Sequence, residues 1–288
     1  MAKYDLIVLG DGVAGTGHAD YANTSVIIPR IKVLNPSAQI FGYVDAAHDL
    51  TTFQGEVDDW NDLAVHGIFF DQAGYDYGST STNSRTAMNT KIDYVHGRSS
   101  AKLCFMNCWN MDHIIGTTND TSYPNSTWNS GAVASTLTSS DWYLLESFVV
   151  NTSSYSGDHM ESASDWKYRG DKAVTHRSTY GINLAAVGII ENGHASAQAL
   201  FDFHYISALM YALEAVGSSD IYYAGSSVTV PFYDRPDLSG IGRIWIESPS
   251  VTADVSDSDV YWRYAQFGRF KLDFSSGALV STITKDFV

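Results

Sequence analysis

Seven short runs of nearly continuous apolar character punctuate this chain: DLIVLG (5–10), QIFGYVD (39–45), GIFFD (67–71), KLCFMN (102–107), WYLLES (142–147), NLAAVGII (183–190) and DIYYAG (220–225). A strand with one wet face alternates apolar and polar residues, whereas a strand covered on both faces does not. The runs therefore read as strands of a parallel sheet. Between them lie helix-like stretches at 20–34, 52–65, 82–97, 165–180 and 195–217. In the last of these, Ala, Leu, Phe and Met recur at three- and four-residue steps, and Gly217 is placed as a terminating glycine. Alternating strands and helices imply βα units, hence either an open doubly wound sheet or a (β/α)8 barrel of the TIM type.

From residue 226 the pattern changes. SVTVPFYDRP, IGRIWIES and YWRYAQFGRFKLDFSSGALVSTITKDF contain no helical stretch and read as β-hairpins, with a turn at SSG (275–277). The expected organisation is an α/β barrel over residues 1–225, incomplete or atypically closed, followed by a closing strand and a β-rich appendage over 226–288. A length of 288 residues suits one such barrel with a small addition.

Charge and composition narrow the partners. Lys plus Arg number 17 against 32 for Asp plus Glu, a net charge of −15, which argues against a nucleic-acid surface and favours a neutral or cationic substrate. No apolar run approaches the roughly 18 residues that span a bilayer, so no membrane partner is expected. No basic segment and apolar core follow Met1, so no signal peptide is read. The Ser, Thr, Asn, Gly and Tyr-rich vocabulary nevertheless suits an extracellular or virion-associated protein. The sequons NDT (119) and NST (125) would matter only on a eukaryotic secretory route. Cys104 and Cys108 sit in a strand-like run that holds their Cα atoms about 13 Å apart, beyond disulfide reach. They read as inert core thiols, and no Cys or His spacing suggests a metal.

The stretch GDGVAG (10–15), directly after a strand, invites a dinucleotide reading. A Rossmann site needs an acidic residue about 20 positions later to hold the ribose, and that window holds Pro29, Arg30, Lys32 and Asn35 instead. The glycines read as a sharp turn at a strand's end, and no cofactor is expected.

The strand ends carry the chemistry. Asp45 follows FGYV, Asp71 follows GIFF, Asn107 and Asn110 lie in FMNCWN, and Glu146 ends WYLLE. In a TIM-type barrel all strand C-termini open on one face, and polar residues there converge on one pocket. A charge after so apolar a run points to a wet cleft rather than a packed interior.

AQIFGYVDA, VHGIFFDQAG, FMNCWN and YLLESFVV, in this order and spacing over residues 4 to 150, resemble the barrel of the spherulin-4 and glycoside hydrolase family 114 group, which includes endo-α-1,4-polygalactosaminidases. The resemblance implies that Asp71 is a catalytic carboxylate acting as nucleophile or base, and that Glu146 is the proton donor. Tyr43, Asp45, Gln72, Asn107, Trp109 and Asn110 would line the substrate subsites. Glycoside hydrolysis needs such a pair, one carboxyl to protonate the leaving oxygen and one to attack or to activate water. The apolar neighbours Leu145 and Phe148 suit an acid role for Glu146. An acidic cleft would favour a polymer carrying free amines.

Two departures from the family pattern stand out: Gln72 replaces a common second acid, and one strand that usually precedes the glycine-rich loop is absent. Gln72, the missing leader and the Ser, Thr and Asn-rich surface favour an alternative in which the barrel is a catalytically silent carbohydrate-binding or structural part of a phage tail, virion or extracellular assembly. Asp71 and Glu146 would then be structural carboxylates bonded to loop backbone. Trp60 and Trp142 read as core, His113 as a loop histidine, and Arg243, Arg263 and Arg269 as partners of surface acids. The long loop at 116–140 would serve as a cover or a contact surface. The C-terminal β region is the expected surface for a homo-oligomer or another assembly partner.

Overall fold

A computed structural model describes residues 4–74, 84–117, 128–150, 160–191, 193–220, 233–241, 252–253, 259–274 and 280–285. It is an α/β fold of the TIM-like class. Seven parallel strands follow one another in chain order: β1 (Leu6–Leu9), β2 (Gln39–Asp45), β3 (Gly67–Asp71), β4 (Leu103–Asn107), β5 (Trp142–Glu146), β6 (Asn183–Ile189) and β7 (Ala215–Ser219). Helices α1 (Tyr21–Leu34), α2 (Leu50–Asp62), α3 (Arg85–His96), α4 (Ala163–Tyr180) and α5 (Ala197–Met210) lie between them. A separate antiparallel sheet holds β8 (Thr252–Ala253), β9 (Val260–Ala265), β10 (Gly268–Asp273) and β11 (Val280–Lys285). No helix among the described residues is long and apolar enough to cross a membrane.

The chain divides into two compact units, Met1–Leu144 with His176–Asn183, and Leu145–Thr175 with Leu184–Val288. In the first, the parallel register sets Asp45 directly beside Asp71. Residues two apart on a strand share a face. One face carries an aromatic ladder, with ring centroids 5.9 Å apart for Tyr43 and Phe69, 5.1 Å for Phe69 and Phe105, and 6.1 Å for Phe105 and Trp142. The other carries Gly42, Ile68, Phe70 and Cys104 and packs on helices, as where Phe53 of α2 meets Phe70 at 5.1 Å. Both faces are covered, which is why these strands read as unbroken apolar runs. Two helix starts are capped by side chains: Asp49 accepts from Thr52 N–H at 3.0 Å for α2, and Ser84 from Ala87 N–H at 3.2 Å for α3. The GDGVAG stretch turns on itself, with Gly12 at φ +68° and its carbonyl accepting from Gly15 N–H, and α1 begins only at Tyr21.

In the second unit, α5 buries Phe201, Phe203, His204, Ile206 and Met210. Trp166 of α4, fully buried, meets Tyr211, Tyr261 and Phe274 edge-on or tilted at 5.2 to 5.3 Å. Two sequence expectations change here. The helix anticipated over 195–217 ends at Met210, the chain reverses through Ala212 at φ +49°, and Gly217 lies inside β7. The small apolar residues of β7 mimic a continuing helical stripe. Arg263, expected on the surface among acids, is buried and donates to the Met210 carbonyl. The expected boundary at 225/226, the strands proposed for 221–225 and IGRIWIES, Arg243, the SSG turn and both sequons lie outside the described residues.

Gly42 is the most tightly enclosed glycine among the described residues of the first unit. A Cβ there would lie 2.1 to 2.4 Å from the Trp60 indole, which is 1% exposed and tied by its N–H to the Tyr43 carbonyl at 3.0 Å. Gly42→Ala is expected to destabilise the protein by about 1 to 3 kcal/mol in denaturant unfolding; an unchanged midpoint would show that Trp60 does not close this gap.

His204 sets a pH response in the second unit. Its ring nitrogens lie 2.9 Å from the Phe148 and Gly217 carbonyls, yet complete burial outweighs both contacts and pulls its pKa down to about 4. Between about pH 6.5 and 4 the unfolded chain takes up this proton and the folded chain does not. Stability should therefore fall by up to about 3 kcal/mol as pH drops through that window. A His204→Gln variant, less stable throughout, should lose that part of the slope; an equal slope in both proteins would assign it elsewhere.

Candidate active site

The side chain of Asp71 sits at the C-terminal end of β3, half-buried, with donors from three segments around it. The Tyr43 hydroxyl donates to Oδ2 at 2.6 Å, Asn107 Nδ2 donates to Oδ1 at 2.8 Å, and the Gln72 N–H donates to Oδ1 at 2.9 Å. Oδ1 has both lone pairs engaged, and Oδ2 keeps one for a reacting atom. Burial, followed by the Asp71 hydrogen bond and charge, pushes the Tyr43 phenol far above its ordinary range, with Asp45 and Asp11 adding to it. Tyr43 is thus a fixed donor to Asp71.

The other residues expected at the site divide into two groups. Asp45 is half-buried at the end of β2; its Oδ1 accepts from Ala47 N–H at 2.8 Å, and its Oδ2 lies 4.0 Å from His48 Nε2. Gln72 is in the left-handed region at φ +54°, which a non-glycine residue adopts at a cost of about 1 kcal/mol or more. Trp109, just past β4, is 47% exposed and offers an aromatic face to solvent. Asn110 is buried, and its side-chain oxygen accepts from Asp112 N–H to start the 3-10 turn Met111–His113. His113 is buried against Trp128, whose indole N–H donates to the His113 carbonyl at 2.6 Å.

Glu146 ends β5 in the second unit, half-buried. Its backbone carbonyl accepts from Arg169 Nη2 at 2.6 Å, and Arg169 also donates to Glu161. Ser147 and Val149, just after it, both have positive φ, 51° and 61°. A β-branched residue there is a genuine outlier. Asp71 and Glu146, the two carboxylates expected to be catalytic, are thus each followed at once by a residue in the left-handed region.

Several residues that shape the first unit's strand ends carry no sequence signal. Helix α3 buries two cations that bind loop backbone rather than acids. Lys91 donates to the carbonyls of Ala46 at 2.7 Å and His48 at 2.6 Å, in the loop after β2. Arg85 donates to the carbonyls of Asp112, His113 and Gly116 in the loop after β4, and to Val133 beyond it. Burial lowers the pKa of Lys91 and pulls that of Arg85 down to about 10. Glu56 of α2 holds His48 at 3.1 Å, and burial raises its carboxyl, with Asp11 and Asp45 contributing. Asp11, Asp45, Glu56 and Asp71 make this edge strongly acidic, in keeping with the overall charge.

No family model matches the chain, and no curated protein matches it. Among solved structures it is similar to the glycoside hydrolase domain of PelA from Pseudomonas aeruginosa, at 11% identity over 76% of this chain and 88% of that one, with a TM-score of 0.49. It is also similar to the endo-1,4-beta-mannanase from Rhizomucor miehei, at 8% identity over 78% and 80%, with a TM-score of 0.42. A third likeness is to the carboxyl transferase domain of Rhizobium etli pyruvate carboxylase, at 11% identity over 75% and 33%, with a TM-score of 0.39.

Removing the Lys91 ammonium would leave the buried Ala46 carbonyl without its donor. Lys91→Met is expected to lower stability by about 2 to 4 kcal/mol, read from urea unfolding. A midpoint within error of wild type would show that this loop does not depend on α3.

Proposed function

We propose that this chain is a glycoside hydrolase-type barrel that cleaves an extracellular polysaccharide internally, with Asp71 as the carboxylate that attacks the anomeric carbon or deprotonates water. The observation that carries the proposal is the Asp71 geometry: a half-buried carboxylate at a strand's C-terminal end, with one oxygen saturated by donors and the other held by a single phenol. Such an arrangement fixes the direction in which Oδ2 can act. Glu146, placed by the family resemblance at the corresponding end of β5, is proposed as the acid that protonates the leaving oxygen. Strained backbone tends to cluster at functional sites, and the left-handed residues after both carboxylates support the assignment.

Trp109 is proposed as a stacking face for a sugar ring, and Tyr43 and Asn107 as positioning residues acting through Asp71. The acidic strand ends support a polymer with free amino groups, such as a partly deacetylated galactosaminan. An extracellular or virion setting fits a substrate of that kind. The alternative, a silent carbohydrate-binding module, draws on Gln72, which cannot serve as a second acid beside Asp71.

Release of reducing ends from a panel of polysaccharides that includes partly deacetylated α-1,4-galactosaminan tests the proposal. Wild type should release them, and Asp71→Asn and Glu146→Gln should lose at least about a hundredfold in rate while folding normally. Tyr43→Phe should lose activity in kcat more than in KM. Glycan binding without turnover by folded wild type would overturn the enzyme reading in favour of the binding module.

A further inference from the structure

The N-terminal edge of β4 carries a cluster that the proposed chemistry does not use. Cys104 at the start of β4, Asp141 just before β5 and His96 at the end of α3 face one another within the first unit. Cys104 and Asp141 are wholly buried, and the His96 side chain is 23% exposed. His96 Nε2 lies 3.1 and 3.2 Å from the two Asp141 oxygens and 3.6 Å from Cys104 Sγ. A single ring N–H cannot align with two oxygens and a sulfur at once.

A tetrahedral zinc ion explains the same distances. With Zn–N near 2.0 Å and Zn–S near 2.3 Å, its ligand atoms would lie about 3.5 Å apart for N and S and about 3.3 Å apart for N and O. The lone-pair count also fits. Asp141 Oδ2 accepts from both the N–H and the hydroxyl of Thr138, at 2.6 and 2.9 Å, whereas Oδ1 accepts from Cys104 N–H at 2.7 Å and keeps one lone pair. Thiolate, carboxylate and neutral imidazole around a dication sum to zero charge, which suits a buried site.

We propose that His96, Cys104 and Asp141 bind one zinc-class divalent cation, with water in a fourth position on the open side of His96. Binding exchanges the Cys104 thiol proton for the metal. Without a cation, burial pushes that thiol well up, with Asp141 and Asp93 adding to it, and a dication at bonding distance reverses that balance. The ion would join the end of α3 to the starts of β4 and β5, at the opposite end of β4 from Asn107. Its role is structural, and it stands or falls separately from the hydrolase proposal.

The test is titration of the full chain, first dialysed against a chelator, with cobalt(II) alone and then zinc(II) alone. Cobalt should give a thiolate-to-metal charge-transfer band that saturates at one equivalent, and zinc should displace it and raise the melting temperature. The band should be lost in Cys104→Ser and weakened at least tenfold in affinity in His96→Gln. The second substitution lies at the rim of the cluster, so a folding defect in the first does not leave the question open. No saturable band in folded wild type, or a band that persists in both variants, would overturn the site.

Discussion

Asp71 accepts hydrogen bonds from Tyr43 of β2, from Asn107 of β4 and from the backbone just beyond its own strand, so one carboxylate joins three adjacent strand ends. The arrangement depends on the parallel sheet, because only parallel neighbours deliver their C-terminal ends to the same edge. It also depends on register. Asp45 pairs with Asp71 across β2 and β3, and a slip of one residue would turn each side chain to the opposite face of its strand. The aromatic ladder of Tyr43, Phe69, Phe105 and Trp142 fixes that register, since each ring packs on its neighbour along the face that ends in Asp71 and Asn107.

Helix α3 provides the second constraint. Loops are ordinarily the least determined part of a barrel of this class. Here Lys91 and Arg85 reach from one helix into two of them and satisfy backbone carbonyls that burial would otherwise leave without donors. Both cations are almost fully buried and bind backbone carbonyls, and the Lys91 charge also acts on Asp45 and Asp49, that of Arg85 on Asp112. The Lys91 charge thereby offsets part of the crowding of carboxylates around Asp45 without forming a direct ion pair with it.

The sequence showed the strands well because burial on both faces removes the alternation that would mark a half-wet sheet. β2, β3, β4 and β6 fall where their apolar runs lie. It showed the end of α5 poorly, because Leu213, Ala215 and Val216 continue the helix's apolar spacing although the chain has already reversed at Ala212. Around Asp71, strand-end position singled out Asp71 and Asn107, which the structure joins, whereas Tyr43 was named only through the family resemblance. Asn110 shows the limit of position, because an asparagine after a strand serves a turn as readily as a ligand. Lys91 and Arg85 were invisible for a plainer reason. A cation in a helix reads as surface unless its partners are known, and backbone carbonyls leave no mark in a sequence.

The same limit applies to His96, Cys104 and Asp141, which lie 8 and 37 residues apart along the chain. No local spacing announces them, and they meet only because α3 packs back along β4 and the chain re-enters beside it at β5. Alternation along β4 then separates two kinds of work. Cys104 and Met106 face the helices, and Phe105 and Asn107 face the other way, so this one short strand holds a thiol in the scaffold at its start and an amide against Asp71 at its end. A cation at the first would brace the register of the second. The scaffold's rigidity and the placing of the reactive carboxylate are in that sense a single problem, solved across five residues.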